Sequence, residues 1–214
     1  METTQRAYLP AAGHDIFLPL YDPLVKLLGG DKARRKLLDQ AAIQQGHRVL
    51  DIGCGTGTMV LLIKQLYPQA QVIGLDPDPK ALARAHRKVQ RARVPAQLDQ
   101  GYADALPYQD AIFDRVLSSF MFHHIPADQK LRTLCEARRV LKPGGSFHMV
   151  DFRNAESHGH GLLARWLHSS HVLSDNRDER ILELMNEAGF TDAKPVSYGS
   201  MFFLRTGYYQ ASAR

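Results

Sequence analysis

The sequence predicts an α/β fold in which a doubly wound, mostly parallel sheet carries helices on both faces. From residue 46 onward, short apolar runs typical of strands alternate with amphipathic helical patterns. A glycine-rich turn joins the first of these runs to the first helix. The last two runs are separated only by Tyr198-Gly199-Ser200. Because so short a link joins antiparallel neighbours, the sheet should finish with an antiparallel hairpin.

The predicted elements follow one another in a regular order. The third helix should stop at the turn Lys142-Pro143-Gly144-Gly145 and the fourth at Gly189, since proline and glycine end helices. The helices are expected near 57–67, 78–92, 127–140 and 178–188. The strands are expected at His47–Asp51, Gln71–Asp76, Ala96–Gly101, Arg115–Ser119, Ser146–Asp151, Lys194–Ser197 and Met201–Tyr208.

The first 45 residues have a different pattern. An apolar stretch from Ile16 to Leu28 is interrupted by Pro19 and Pro23, and the basic segment Asp31–Gln40 then leads into the first strand. This pattern favours one or two helices packed outside the sheet. The chain is therefore predicted to consist of a helical cap over residues 1–45 and a sheet domain over residues 46–214.

Composition limits the classes of function. No apolar run is long enough to span a membrane, the N-terminus lacks the pattern of a signal peptide, and two cysteines make no disulfide framework, so a cytoplasmic location is expected. A net charge of +5 is compatible with a protein that binds nucleic acid. Most of the excess lies on one face of the helix near 78–92, opposite Leu82, Ala85 and Val89, and is typical of a solvated face. A nucleic-acid partner is not expected.

The run Val49–Met59, V-L-D-I-G-C-G-T-G-T-M, carries the strongest functional signal. Gly53, Gly55 and Gly57 alternate directly after a strand. Glycine accepts positive φ angles and has no Cβ, so this backbone can bend sharply and lie against a ligand. The next helix offers unpaired N–H groups and a partial positive charge. The turn predicts a nucleotide-like cofactor.

Acidic residues end or follow the neighbouring strands. Asp51 closes the first strand, Asp76 the second, and Asp104 follows the third. Ligands of open α/β sheets bind at the carboxyl ends of the strands. Asp76 is placed to accept from both hydroxyls of a ribose, and Asp104 from an exocyclic amine. Asp78 is expected to be the N-cap of the next helix instead.

Four elements in order resemble the class I S-adenosylmethionine-dependent methyltransferases: V-L-D-I-G-C-G-T-G, G-L-D-P-D-P, G-Y-A-D-A-L-P-Y-Q-D-A-I-F-D-R-V-L-S-S and R-V-L-K-P-G-G-S-F. The resemblance runs from Arg48 to Tyr208 and implies a Rossmann-like fold, S-adenosylmethionine as cofactor and transfer of its methyl group to a small-molecule acceptor. The segment L-P-Y-Q-D-A-I-F-D and the region of Tyr21 are similar to ubiquinone and menaquinone C-methyltransferases. M-F-H-H in place of G-L-R-N, and D-F-R-N-A in place of E-F-S-x-P, count against a quinone and leave an amine, phenol or lipid headgroup open.

The resemblance also implies roles for single residues. The methionine part of the cofactor would lie against the three glycines, with Asp51 near its amino end, while Asp76 would hold the ribose and Asp104 the adenine amine. The other implied contacts are Cys54 within the turn, Pro77 or Asp78 and Leu106 beside the adenine, the backbone N–H of Ala105 at the adenine ring, and Ser118 or Ser119 on the methionine side.

Few residues near this pocket could act as a base. His123 and His124 follow the fourth strand in F-M-F-H-H-I-P, and histidine titrates near neutrality, which suits a proton acceptor. Packing beside the cofactor or capping of the next helix is the alternative for either. Asp151, at the end of the fifth strand, is the third candidate, and Arg153 is a candidate to hold a polar substrate group.

The segment 155–177 carries histidines at the H-x-H and H-x-x-H spacings of metal ligands. Its glycines and apolar residues favour a mobile insert that covers the substrate, so no metal is expected. Tyr8, His14, Tyr21 and Trp166 are predicted lid or substrate contacts. The apolar stretches Phe17–Leu28 and Leu162–Leu167 leave peripheral membrane contact open. The four histidines concerned are His158, His160, His168 and His171.

Two other classes of protein share part of this pattern. A dinucleotide oxidoreductase also has a glycine turn, but its usual G-x-G-x-x-G would place a glycine where this chain has Thr58. A non-catalytic protein that binds the cofactor would look the same in sequence.

Overall fold

The computed structural model describes residues 29–153, 177–201 and 204–214. Its elements in chain order are α1 (Gly30–Ala41), β1 (Arg48–Ile52), α2 (Thr58–Leu66), β2 (Gln71–Asp76), α3 (Pro79–Ala92), β3 (Gln97–Gln100), β4 (Phe113–Ser119), a 3-10 turn (Phe122–His124), α4 (Ala127–Val140), β5 (Leu141–Phe152), α5 (Asp178–Glu187), β6 (Thr191–Met201) and β7 (Leu204–Ser212).

In this part of the chain, seven strands form one sheet in the order β3-β2-β1-β4-β5-β7-β6. Strands β1 to β5 are parallel, and β7 lies antiparallel between β5 and β6. The chain winds outward from β1 to β3 and then crosses back to β4 on the other side of β1. Ligands of such sheets bind where the strand order reverses. The predicted doubly wound, Rossmann-like fold with a C-terminal antiparallel hairpin is confirmed.

Two apolar layers cover the two faces of the sheet. Neighbouring residues of a strand point to opposite faces, and Val49 and Leu50 accordingly belong to different apolar clusters. The cluster on the Val49 face includes Leu37 of α1, Ile63 of α2 and Val89 of α3, whereas the cluster on the Leu50 face includes residues of α4 and α5. The cavity described below therefore lies at the end of a sheet whose two faces are both packed.

The turn of the C-terminal hairpin lies later in the chain than predicted. Strand β6 continues through Tyr198–Ser200 to Met201, and β7 begins at Leu204, so the prediction of a turn at Tyr198–Ser200 was wrong. Gly199 pairs with Thr206 across the hairpin. A Cβ on Gly199 would lie 3.0 Å from the hydroxyl oxygen of Thr206. This glycine relieves crowding between paired strands and does not mark a turn.

The segment K-P-G-G also differs from its prediction. Helix α4 ends at Val140 as expected, but Leu141 already pairs with β4, and the register then shifts at a bulge. Gly144 has a φ of +77° and its N–H donates to the carbonyl of Ala213 at 2.9 Å. The C-terminus thus satisfies the backbone of this segment, which belongs to β5 and forms no separate turn.

Helix α1 occupies part of the region predicted to be a cap. Leu37 and Leu38 are fully buried, and α1 packs on the same face of the sheet as α2 and α3. Residues 1–28 lie outside the described residues. The division of the chain into a cap over 1–45 and a domain over 46–214 stays a prediction.

Candidate active site

The turn between β1 and α2 is tied to the neighbouring strand by its backbone. The N–H groups of Gly53 and Cys54 donate to the carbonyl of Leu75, at the end of β2, at 2.8 and 3.0 Å. The φ angles of Gly53, Gly55 and Gly57 are +70°, +52° and +78°. Side chains other than glycine rarely adopt these angles, which explains the alternation of glycines in the sequence.

Two of these glycines serve different purposes. A Cβ on Gly57 would lie 2.9 Å from the Cβ of Ala85, so this glycine lets α3 pack closely against the turn. A Cβ on Gly55 would meet no atom within 4 Å, although Gly55 lies in the wall of a cavity. The middle of the turn therefore leaves open space beside bare main chain.

Replacing Gly57 by alanine is expected to lower the free energy of unfolding by about 2–3 kcal/mol, because a positive φ and a steric clash act together. Gly144→Ala is the matched control, since Gly144 has nearly the same φ, +77°, but open space around its missing Cβ. The control should lose only about 1 kcal/mol. Urea unfolding of both variants measures the difference, and equal losses would contradict the packing argument.

The cavity has a volume of about 280 Å³ and lies at the carboxyl ends of β1 to β4. Of the residues predicted from the sequence, it is lined by Gly53, Cys54, Gly55, Asp76, Pro77, Asp78, Asp104, Ser119 and His124. Other predicted residues, all within the described ranges, do not line it: Asp51, Gly57, Ala105, Leu106, Ser118, His123, Asp151 and Arg153.

Asp76 is held in place by two backbone N–H groups, one in the glycine turn and one at the N-cap of α3. One carboxylate oxygen accepts from the N–H of Gly55 at 2.8 Å and the other from the N–H of Asp78 at 2.9 Å. Burial raises the pKa of Asp76 to about 6, against the lowering effect of these two hydrogen bonds. An ionised carboxylate has about four acceptor positions, so Asp76 keeps capacity for ligand hydroxyls. Asp78 accepts from the N–H of Lys80, which confirms the predicted N-cap.

Asp51 is fully buried, and neither of its carboxylate oxygens has a hydrogen-bond partner among the described residues. Burial raises the pKa of Asp51 to about 7, while the positive charge of Arg34 lowers it and the negative charge of Asp76 raises it further. Since an unpaired buried carboxylate is costly, this position calls for a cationic or hydrogen-bond-donating partner.

Of the predicted adenine contacts in this loop, Asp104 lines the cavity, whereas Ala105 and Leu106 do not. Asp104 lies in the cavity wall, with one oxygen 3.5 Å from a guanidinium nitrogen of Arg132. The N–H of Ala105 donates to the carbonyl of Tyr102 at 3.2 Å, and Leu106 belongs to the apolar core. The N–H predicted to meet the adenine ring is thus engaged within its own turn.

The two predicted histidines lie against each other with their rings tilted by 39°, and only His124 lines the cavity. Nδ1 of His123 lies 2.5 Å from a carboxylate oxygen of Asp151, which is fully buried. The rings of His123 and His124 have centroids 4.0 Å apart. Burial lowers the pKa of His124 to about 4; nearby His123 adds to this lowering and Asp151 opposes it. His124 is therefore a neutral imidazole at pH 7.

Of Arg153 and the two predicted serines, only Ser119 lines the cavity. Arg153 forms an ion pair with Asp178 at 2.6 Å and lies over the ring of Tyr198, so its charge is already matched within the protein. Ser118 is buried, and its hydroxyl has no hydrogen-bond partner among the described residues.

Arg34 and Thr133 are two of the cavity residues that were not predicted from the sequence. Arg34 lies on α1, where Leu37 and Ala41 share its buried face. A cation within an apolar helical stripe was the signal that could have identified it. Thr133 lies on α4, is buried, and has a hydroxyl without a partner in the described ranges. No local pattern marks Thr133, because only the packing of α4 brings it to the cavity.

Several predictions fall on residues outside the described part of the chain. These include the prediction that the histidines of segment 155–177 bind no metal, which stays a prediction. Residues 29–153, 177–201 and 204–214 contain no group of three or more potential metal ligands. The predictions concerned are those for Tyr8, His14, Tyr21, Trp166, His158, His160, His168 and His171.

Known proteins resemble this chain in both sequence and structure. A family model described as a methyltransferase domain matches residues 49–145. The demethylmenaquinone methyltransferase of Thermus thermophilus is 36% identical over 150 residues, which cover 69% of this chain and 67% of that protein. The enzyme of the same name from Geobacillus kaustophilus is 30% identical over 194 residues, which cover 78% and 82%. A solved methyltransferase from Aquifex aeolicus has the same fold, with a TM-score of 0.67, 17% identity, and coverage of 85% of this chain and 89% of that one.

The chain belongs to the class I S-adenosylmethionine-dependent methyltransferases, and within them it is similar to proteins named demethylmenaquinone methyltransferase. Its cofactor is S-adenosylmethionine, and the resemblance stated from the sequence is confirmed. The match spans 67, 64 and 59% of the length of three of these relatives.

Proposed function

We propose that this enzyme methylates a small ring-bearing acceptor with an acidic O–H group, a phenol or a reduced quinone. The observation that carries the proposal is the position of a neutral imidazole, His124, in the wall of the same cavity as the glycine turn and Asp76. An amine acceptor needs only to arrive neutral, whereas a phenol or carbon acceptor must lose a proton. The names of the demethylmenaquinone relatives support a ring acceptor.

The residues of the cavity fit S-adenosylmethionine. Open space beside Gly55 admits a ligand against bare backbone, Asp76 keeps acceptor positions suited to ribose hydroxyls, and Asp104 offers an acceptor for an exocyclic amine. The buried charge of Asp51 suits a cationic group. When bound, the cofactor supplies an electrophilic methyl group on a sulfonium.

The chain's own contribution to the reaction is alignment and proton handling. The carboxylate of Asp151 contacts Nδ1 of His123 and also accepts from the backbone N–H of His123 at 3.1 Å. The His123 ring, held in this way, lies against the ring of His124. His124 then accepts a hydrogen bond from the hydroxyl of the acceptor and takes its proton as the acceptor forms its new bond to the methyl group. Phe120, Met121 and Ile125 supply apolar wall beside it, which excludes water from the reacting atoms.

Replacing Asp76 by alanine is expected to weaken the binding of S-adenosylhomocysteine by about 1.5–3 kcal/mol, or about 10- to 150-fold in Kd, because hydrogen bonds to a charged group are lost. Isothermal calorimetry measures the change. Asp39→Ala, which removes an exposed carboxylate on α1, should leave the affinity unaltered. An Asp76→Ala variant that binds as tightly as the unaltered protein would refute a ribose contact at this residue.

The acceptor itself is identified by following the methyl group. The protein is incubated with methyl-labelled S-adenosylmethionine and, separately, with a demethylated menaquinol, simple phenols and primary amines. Label on the menaquinol or a phenol supports the proposal, and label on amines alone overturns it. Cofactor binding without transfer to any of these or to fractionated cell extract would favour the non-catalytic alternative.

Membrane contact and a cytoplasmic location stay predictions from the sequence. Among the described residues, none of the helices is both long enough and apolar enough to cross a bilayer. A lipophilic acceptor such as a menaquinol would bring the enzyme to a membrane surface, and sedimentation with liposomes that contain the acceptor tests such contact.

A further inference from the structure

The positive charge of this protein is concentrated in one stretch of the chain. Residues 53–98 contain seven lysines and arginines but only two acidic residues, Asp76 and Asp78. This stretch accounts for the whole net charge of +5, and the rest of the chain is electrically balanced. Because Asp76 and Asp78 are both buried, residues 53–98 present basic side chains to solvent and no carboxylate.

Five of these basic residues lie on one face of α3, and the opposite face packs on the sheet. At about 3.6 residues per turn, the five fall within an arc of about 100°. Helix α3 is 14 residues long and contains no aspartate or glutamate. We call this surface the basic stripe, and its members are Lys80, Arg84, Arg87, Lys88 and Arg91.

The arginines of the basic stripe are not neutralised by neighbouring carboxylates. Arg84, Arg87 and Arg91 form no ion pair with any residue in the ranges 29–153, 177–201 and 204–214. A surface that is merely solvated usually mixes charges of both signs, and like charges one helical turn apart repel each other. The basic stripe therefore has a field of one sign, which an anionic partner would relieve.

We propose that the basic stripe binds the anionic headgroups of a lipid bilayer and brings the cavity to the membrane surface. Clusters of about four to eight lysines and arginines on an amphipathic helix are typical of proteins that bind anionic lipid. Helix α3 also starts at the cavity, because its N-cap Asp78 and the preceding Pro77 both line the wall. The choice of a bilayer rests on the ring acceptor of the proposed function, since a lipophilic acceptor dissolves there.

A nucleic acid offers phosphate charges of the same kind. Proteins that bind single strands place aromatic side chains among the basic ones, so that bases can stack on them. Helix α3 contains no phenylalanine, tyrosine or tryptophan. The basic stripe therefore matches an anionic surface better than a strand of bases, and nucleic acid enters the experiment as the competing outcome.

Sedimentation with lipid vesicles, without cofactor or acceptor, tests the proposal. The unaltered protein should bind vesicles of phosphatidylcholine with about one third phosphatidylglycerol and should not bind vesicles of phosphatidylcholine alone. Binding should be strong at about 0.1 M salt and lost at about 1 M, where charges are screened beyond about 3 Å. Each arginine near an anionic leaflet strengthens binding about fivefold, so the triple variant Arg84→Gln, Arg87→Gln, Arg91→Gln should bind about 100-fold more weakly.

A second triple variant is the matched control, because it removes the same number of charges elsewhere. Arg35→Gln, Lys194→Gln and Arg205→Gln replace exposed basic residues on α1, β6 and β7. This control should bind the anionic vesicles within about threefold of the unaltered protein. Circular dichroism verifies that each variant is folded, and the single variant Arg87→Glu, at an exposed position, carries the test if the stripe variant is not.

Three results would overturn the role of the basic stripe: equal losses in the two triple variants, equal binding to both kinds of vesicle, or tighter binding to duplex DNA or single-stranded RNA than to the anionic vesicles. The stripe variant should keep its affinity for S-adenosylhomocysteine and its methyl transfer to a water-soluble phenol, because no arginine of the stripe lines the cavity. Failure of the unaltered protein to methylate any ring acceptor overturns the proposed function in an assay without lipid, so the two failures are distinguishable.

Discussion

Replacement of His124 by phenylalanine is expected to lower kcat by about 100-fold, because the hydrogen-bond acceptor that takes the proton from the substrate is lost. The affinity for S-adenosylhomocysteine, measured by calorimetry, should change little, since the role of His124 is toward the acceptor. His124→Gln, which keeps an acceptor atom but is not a base, should recover only part of the rate. His86→Phe, at an exposed histidine on α3, is the matched control.

The pH dependence of kcat follows from the same residue. Burial lowers the pKa of His124 to about 4, so the imidazole is neutral at pH 7 and becomes charged only in strong acid. With saturating cofactor and acceptor, kcat of the unaltered enzyme should stay constant from pH 8 to about pH 5 and decline below it. A His124→Phe variant with an unaltered kcat would show that His124 only packs beside the site.

The second large effect concerns stability. Asp51→Asn is expected to raise the free energy of unfolding of the ligand-free protein at pH 8 by about 2–4 kcal/mol. The pKa of Asp51 is about 7 in the folded protein against a model value of 3.8, so the native state holds the proton more tightly than the unfolded chain. Stability is therefore lost as the pH rises through this window, and an asparagine removes that loss. The same change should weaken cofactor binding, because the counter-charge for the ammonium disappears.

Urea unfolding at pH 8 and pH 5 tests this prediction. At pH 5, where Asp51 of the folded protein is protonated, the gain should be less than half of that at pH 8. Asp39→Asn, at an exposed carboxylate on α1, should show neither the gain nor its dependence on pH. An Asp51→Asn variant less stable than the unaltered protein at pH 8 would mean that the carboxylate has a partner that satisfies it.

The folding pattern was predictable wherever it is local. The strands and helices from β1 to α5 follow hydrophobic periodicity, and the glycine turn follows from backbone angles that only glycine accepts easily. The hairpin turn was misplaced because Gly199 has the composition of a turn but lies in a paired strand. Its position depends on the register between β6 and β7, which the segment itself does not encode.

The site was predictable to the extent that its residues belong to local motifs. Asp76 and Asp104, which both line the cavity, were predicted because Asp76 closes one strand and Asp104 follows the next, at the edge where parallel strands end together. Thr133 was missed because it lies on a helix whose sequence carries no mark of a ligand, and Arg34 because its one signal, a cation within the apolar stripe of α1, does not by itself indicate a ligand. The contact of His123 with Asp151 joins residues 28 positions apart and depends on the pairing of β4 with β5.

By itself, the sequence determined the class of fold, the cofactor and the glycine-rich turn after β1, because these rest on periodicity, on φ angles and on motifs read in order. Only the tertiary structure decided which of the two histidines faces the cavity, which charges are left without partners, and how far burial moves their pKa values. Those properties depend on the distance to atoms from distant parts of the chain and on the exclusion of water, and neither is written in a local run of residues.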